Sequence, residues 1–424
     1  MTHAPLLRTA EVIAVGSELL GSTRLDTNSL FIAERLSALG IELCAKAVVG
    51  DDRARLAEIF RQARARADLV VITGGLGPTA DDLTRESVSE VLGVPMAEDP
   101  ALVAAIEQRF TRRGMRMPDI NRRQAQVLRG ATALDNPNGT APGQYIEDGE
   151  KIIVLLPGPP RELQPMFTAL CEGPLRAHAG HERIYRTSLF VTGRSESHVE
   201  ETVQPIYSTW RLSAQPIETT ILATPGQIEL HLTSRGSDAR VAEQVLREAQ
   251  ERLVAALGPD VFSTGGRLME QVVGDLLRER GLTVAAAESC TGGLLLSRLT
   301  DVPGSSEYVA GGAVLYSNQM KAVLSDVPEE LINTHGAVSE PVAVALAEGI
   351  RRRTGADVTV GVTGIAGPGG GTPSKPVGTV AIAAIVSNAP ARVRTFSFPG
   401  GRPQIKFQAT QAALDMIRRM LIGA

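Results

Sequence analysis

Short apolar runs alternate with helical segments at both ends of this 424-residue chain, and that alternation leaves few folds open. Near the N-terminus, residues 11–15, 41–49 and 69–72 read as strands, with helical spacing over 28–39 and 53–66. A βαβαβ order implies a parallel sheet covered on both faces. Residues 151–156 add a later strand and 161–170 a helix. The pattern returns after residue 258. It gives a helix over 268–280, a strand ending at Ala287, a helix from Thr291 and a strand over 308–316. A helix over 341–353 follows, with Ser339 as its N-cap, then strands over 357–362, 377–386 and 392–398 and a closing helix from Arg402. Between the two α/β parts, residues 187–257 read as a smaller βαββα unit around the turn Thr224-Pro-Gly226. The expected fold class is α/β in three domains, 1–173, 174–258 and 259–424, in line with a length too great for one core.

Composition excludes several classes of function. A net charge of −4 gives no electrostatic reason to expect a nucleic-acid partner. Arginines cluster at 109, 112, 113, 116, 122, 123 and 129, which reads as a solvated helix face. Three scattered cysteines argue for a reducing compartment, and the six histidines never fall at metal-ligand spacing. A metal would have to be a hard cation on carboxylates. No apolar run approaches a membrane span and no signal-like segment is seen, so a cytoplasmic protein is expected.

Three strand ends of the first domain carry glycine loops. They are Gly16-Ser-Glu18 with Asp26-Thr-Asn28, then Thr73-Gly-Gly-Leu-Gly-Pro-Thr-Ala-Asp-Asp82, and Pro157-Gly-Pro-Pro160 with Glu162. Ligands of open parallel sheets sit beyond the carboxyl ends of the strands, and glycine lets backbone N–H groups approach a phosphate. Thr73, Gly74, Gly75, Gly77, Pro157 and Gly158 are the candidate binding residues; Glu18, Asp26, Asp81 and Asp82 are the candidate ligands of a divalent ion. The middle unit resembles a K-homology-like domain but lacks the G-x-x-G loop that clamps RNA, so a connecting or dimerising role is expected.

The last domain carries the parts of an amide hydrolase. Ser289 follows a buried strand, Tyr316 ends another, and Lys321 lies five residues on. Ser289 is the candidate nucleophile at a helix N-terminus, Lys321 the base if burial lowers its pKa, and Tyr316 a relay or orienting group. Thr363 and the N–H of Gly364 are candidate substrate and oxyanion contacts, at the head of the glycine-rich loop Thr363–Gly371. Arg402 is the candidate phosphate ligand. Cys290 is a rival nucleophile, but no histidine is near in sequence and His335 would have to approach through the fold.

The stretch from Thr73 to Asp82, Asn136-Pro-Asn-Gly-Thr-Ala-Pro-Gly143 and Pro157-Gly-Pro-Pro160 resemble the molybdopterin-binding fold. Together with Glu288-Ser-Cys-Thr-Gly-Gly293 they resemble the competence/damage-inducible CinA family over essentially the whole chain. That resemblance implies two hydrolases acting on pyridine nucleotides. The first domain would cleave ADP-ribose at its pyrophosphate with Mg, Mn or Co, and adds Asn138 and Gly139 to its binding residues. The last would deamidate nicotinamide mononucleotide without a cofactor, with Ser289, Lys321 and Tyr316 catalytic and Ser306 beside them. The resemblance also implies a homodimer. Two rival expectations are a pterin-binding first domain and a scaffold for DNA uptake or repair with one or both sites inactive.

Overall fold

The computed structural model describes residues 6–387 and 389–424. Packing divides them into a first unit reaching Tyr185, with a short return at Arg235–Ala242, and a second made of Arg186–Ser234 and Glu243–Ala424.

In the first unit β1 (Thr9–Val15), α1 (Asn28–Ala38), β2 (Glu42–Val49), α2 (Arg53–Arg66) and β3 (Leu69–Thr73) follow the predicted alternation. Then come α3 (Thr84–Leu92), β4 (Met96–Glu98), α4 (Pro100–Arg112), β5 (Gln126–Leu128), β6 (Thr132–Leu134), β7 (Gly143–Asp148), β8 (Lys151–Leu156), α5 (Pro160–Glu172) and α6 (Pro174–His178). The main sheet has the order β2-β1-β3-β8-β7-β6. Strands β1, β2, β3 and β8 are parallel, and β3 is buried throughout, as expected for a strand covered on both faces. One core packs Ile32, Leu36 and Phe167 on one face; a second packs Leu56, Phe60 and Val88 on the other. The sheet is mixed, contrary to the wholly parallel expectation. Asp148 pairs with Lys151 across a two-residue turn at Gly149, whose φ of 64° suits a hairpin, so β7 runs antiparallel to β8. From β1 the chain goes first to β2 on one side and then to β3 on the other, which opens a crevice beyond the ends of β1 and β3.

The second unit begins with the small βαββα module: β9 (Arg183–Val191, its first residues at the boundary), α7 (Glu196–Tyr207), β10 (Ile217–Thr224), β11 (Gln227–Gly236) and α8 (Ala239–Leu257). Its sheet takes a fourth strand, β12 (Val261–Ser263), antiparallel to β9. Next come α9 (Met269–Glu279), β13 (Val284–Glu288), α10 (Leu294–Thr300), β14 (Val309–Val314), α11 (Asn318–Ser325) and α12 (Glu329–His335). They are followed by α13 (Glu340–Thr354), β15 (Val358–Gly364), β16 (Thr379–Val386), β17 (Arg392–Ser397) and α14 (Arg402–Ile422). The order is β14-β13-β15-β16-β17, parallel over β14, β13 and β15 and antiparallel beyond. Helices α9 and α14 cover one face and α13 the other. Strand β13 is again a switch point, flanked by β14 and β15.

Two local expectations are corrected. Helix α10 starts at Leu294 rather than Thr291, because Gly292 and Gly293 take φ of 63° and 93° and turn the chain first. Ser339 precedes α13, but its hydroxyl donates to the carbonyl of Gly336 instead of capping the helix.

Candidate active sites

Ser289 lies directly beyond β13, with its N–H bonded to the carbonyl of Val362 at 2.9 Å. Its hydroxyl makes no hydrogen bond among the described residues. Beside it Glu288 is fully buried. The Glu288 carboxylate accepts from the N–H groups of Gly293, Leu295 and Leu296 at 3.0, 3.1 and 2.9 Å. That corrects the helix-terminus argument for Ser289: the start of α10 is already capped by a side chain. Among the described residues the N–H groups of Cys290 and Thr291 bond no backbone or side-chain acceptor of another residue. They join Gly364 as candidate oxyanion donors; Gly364 lies beside this turn, where a methyl added to it would meet Cys290 Sγ at 2.9 Å. Burial pushes the Cys290 thiol up to about 12, so it stays protonated.

Lys321 is held in α11, whose first turn is capped by Ser317 accepting from the N–H of Met320. It is only 2% exposed and has no carboxylate partner among the described residues; its Nζ donates to the carbonyl of Tyr316 at 3.3 Å. Burial lowers its pKa, and the nearby Cys290 thiol partly offsets that. Tyr316 is 61% exposed, and its hydroxyl accepts from Arg402 at 2.7 Å. The tyrosine therefore orients the lysine with its backbone carbonyl, and its hydroxyl belongs to the open rim. Arg402 also donates to the carbonyl of Gly367 at 2.7 Å. One turn along α14, Lys406 has no partner among the described residues, and its Nζ would lie 3.4 Å from a methyl at Gly292. The sequence signal for Lys406 was its i, i+4 spacing from Arg402.

In the first unit a cavity of about 350 Å³ opens beyond β1 and β3. Gly16, Glu18, Gly74, Gly75, Gly77, Asp81, Asp82, Pro157 and Gly158 line it, and the sequence reading missed Asp51, Gln124 and Thr140. Gly74 and Gly75 take φ of 93° and 64°, which other residues resist. Arg85 is buried beneath their loop and donates to the carbonyls of Leu76 and Gly77 at 2.8 and 2.9 Å. Burial lowers Arg85 to about 10, still a cation at neutral pH. With those carbonyls held from behind, the N–H groups of Gly75, Leu76 and Gly77 have no acceptor among the described residues. Consecutive free N–H groups form a nest for an anion. The arginine cluster is partly a scaffold for these loops. Arg123 donates to the carbonyls of Thr79 and Asp82, and Arg109 to those of Asn136 and Gly139.

A family model of the CinA C-terminal domain matches residues 267–421, and one described as a probable molybdopterin binding domain matches residues 11–177. A CinA-like protein of Koribacter versatilis is 48% identical over 417 residues, covering 97% of this chain and 100% of that protein. The chain belongs to the CinA family. A CinA-like protein of Solibacter usitatus is 44% identical, covering 98% of both. Among solved structures, a competence/damage inducible protein from Agrobacterium tumefaciens is 38% identical and covers 36% of this chain and 93% of its own, with a TM-score of 0.36.

The remaining predicted residues of this CinA chain fall outside the two sites or on their supports. Ser306 is exposed ahead of β14, whose start pairs with the start of β13 (Val284 with Val309). Ser289 follows the other end of β13, so within one chain the two serines lie at opposite sheet edges. The Thr363 hydroxyl donates to the carbonyl of Ala337 at 2.8 Å, a structural bond rather than a free contact. Thr73 is buried behind its loop. Asn138 donates to the carbonyl of Arg161, and Gly139 packs on Glu162; neither lines the cavity. Asp26 also lies outside it, accepting from the N–H and hydroxyl of Ser29 at the start of α1. The Asp82 carboxylate accepts from the N–H and hydroxyl of Thr79. Glu18, Asp51, Asp81 and Asp82 offer the oxygen donors a hard divalent ion takes. No three carboxylate, histidine or cysteine side chains among the described residues converge as a ready-made metal site.

Proposed function

We propose that the C-terminal part deamidates nicotinamide mononucleotide to nicotinate mononucleotide and ammonia. The observation that carries this reading is Lys321: a buried amine with lowered pKa and no carboxylate partner among the described residues, close enough to the Ser289–Cys290 turn to feel the thiol. Neutral Lys321 takes the Ser289 proton as the oxygen attacks the carboxamide carbon. The anionic oxygen that forms faces the N–H groups of Cys290 and Thr291. The C–N bond then breaks, and the proton on Lys321 leaves with ammonia. Water repeats the sequence on the acyl-serine and frees the carboxylate. Arg402 binds the nucleotide phosphate at the rim. Comparing Ser289→Ala with Cys290→Ala tests the assignment: the serine variant loses ammonia release and the cysteine variant keeps most of it. Loss in the cysteine variant alone would move the nucleophile.

For the first unit we propose hydrolysis of a nucleotide pyrophosphate, ADP-ribose in the first instance, with the pyrophosphate on the N–H groups of Gly75, Leu76 and Gly77. A divalent ion arriving with the nucleotide would draw single oxygen donors from the cavity wall, where Glu18, Asp51, Asp81 and Asp82 lie without converging and Asp26 is absent, and would neutralise phosphate charge. Release of AMP and ribose 5-phosphate that chelator abolishes is the expected result. Unchanged ADP-ribose with added Mg, Mn or Co would leave an anion-binding domain without this activity.

A further inference from the structure

One acid of the first unit has no task in the chemistry above: Glu162, in the first turn of α5. It lines the cavity of about 350 Å³ that holds the N–H nest, and only 9% of it is exposed. The loop ahead of α5 packs against the nest, since a methyl at Gly158 would lie 3.5 Å from Gly74 Cα. No lysine, arginine or histidine among the described residues pairs with the Glu162 carboxylate. A largely buried carboxylate without a counter-charge is destabilising.

The two oxygens of this carboxylate are treated differently. Oε2 accepts from Asn136 Nδ2 at 2.8 Å. The same amide nitrogen donates to the carbonyl of Ala141 at 2.8 Å, and Asn136 Oδ1 accepts from the N–H of Asn138 at 3.1 Å. Those two bonds fix which end of the amide faces the acid, so Oε2 is an acceptor. The loop that carries Asn136 is itself clamped. Arg109 donates to the carbonyls of Asn136 and Gly139, and Asn138 donates to that of Arg161. A methyl at Gly139 would collide with Oε2, so the loop is shaped around the carboxylate.

Oε1 has no partner among the described residues, yet it is not sealed from solvent. One oxygen is thus held from behind by a saturated amide, and the other stays open in a residue that lines the cavity. Asp51 and Asp82, on the same cavity, accept instead from the N–H groups of Ser17 and Thr79. A base with one free oxygen and a fixed orienting group is the arrangement that activates a water.

We infer that Glu162 is the general base of the pyrophosphate hydrolysis proposed for this unit, an assignment that rests on that reading. Oε1 takes a proton from a water in the cavity as the water oxygen bonds to one phosphorus. The bond from that phosphorus to the bridging oxygen breaks, and its electron pair stays on the leaving phosphate. The proton on Glu162 then passes to a product phosphate, which restores the carboxylate. Asn136 is the positioning residue: by holding Oε2 it sets the direction of Oε1.

The test compares wild type, Glu162→Gln and Glu162→Ala in the full-length chain. It reads AMP release from ADP-ribose with Mg, Mn or Co, and calorimetric binding of ADP-ribose without metal. Glutamine keeps an oxygen that accepts from Asn136 and removes only the basic one. The expected result is a kcat lowered by about a hundred- to ten-thousand-fold in Glu162→Gln, with KM and metal-free binding within about three-fold of wild type. Formate, a small carboxylate, should return part of the rate to Glu162→Ala, which a purely structural role would not allow. Turnover by Glu162→Gln within about ten-fold of wild type would overturn the assignment. So would a loss of binding as large as the loss of rate, or a rate that excess divalent ion restores, which would make Glu162 a metal ligand. A wild type that leaves ADP-ribose intact would instead contradict the pyrophosphatase reading, and the base with it.

Discussion

Lys321 is held in an environment that favours its neutral form, and this sets a sign for both activity and stability. A lysine with lowered pKa becomes a base at a pH where an exposed lysine is still charged. Deamidation should therefore rise with pH to a plateau, with an apparent pKa below the ordinary lysine value. For stability, the unfolded chain binds the proton more tightly than the folded one between the lowered pKa and the ordinary one. Stability thus rises with pH across that window. Lys321→Met should cut kcat by about a hundred- to ten-thousand-fold while raising Tm at neutral pH, and the Tm difference should shrink above the ordinary lysine pKa. A Tm that falls at every pH would show that the amine is a structural donor to Tyr316 rather than a desolvated base.

At the scale of elements, the turn between β13 and α10 is held by the buried Glu288 carboxylate, which closes three N–H groups of that turn. Glu288→Ala should lower stability by about 2–4 kcal/mol, or Tm by roughly 5–15 °C, since three donors, one of them buried, lose their acceptor. Thermal melts of the variant read this directly, and an unchanged Tm would mean water replaces the carboxylate. Packing of α13 on β15 has a similar dependence at Gly361, where a methyl would collide with the carbonyl of Ala343. Gly361→Ala should destabilise by about 1–3 kcal/mol. Most of these elements were legible in the sequence, because apolar periodicity marks strands such as Leu69–Thr73 and helices such as Arg53–Arg66. Strand direction was less so: β7 reverses because of one tight turn, which periodicity does not register. At the sites, the glycine loops and Ser289, Lys321 and Arg402 were legible as types. The placement of Ser306, Thr363 and Asp26 was not, since it depends on register and on which local carbonyl or N–H takes the side chain. Glu288 went unread for the same reason: in sequence a capping glutamate looks like any other acid.

Across the whole molecule, two α/β sheets each carry their candidate site beyond a switch-point strand, β1 with β3 in one and β13 in the other. Each site draws its side chains from its own unit, so the two proposed reactions should be separable. Gly75→Val, which strains a φ of 64° and collides with Thr84, should abolish hydrolysis of ADP-ribose and leave ammonia release from nicotinamide mononucleotide unchanged. Loss of both activities would mean that the sites depend on one another. The central claim rests on Ser289. Its most direct test is ammonia release from nicotinamide mononucleotide by the purified chain, without added metal, beside Ser289→Ala of equal Tm. Release by the wild type and none by the variant is the predicted result; equal release by both, or release by neither, would contradict it.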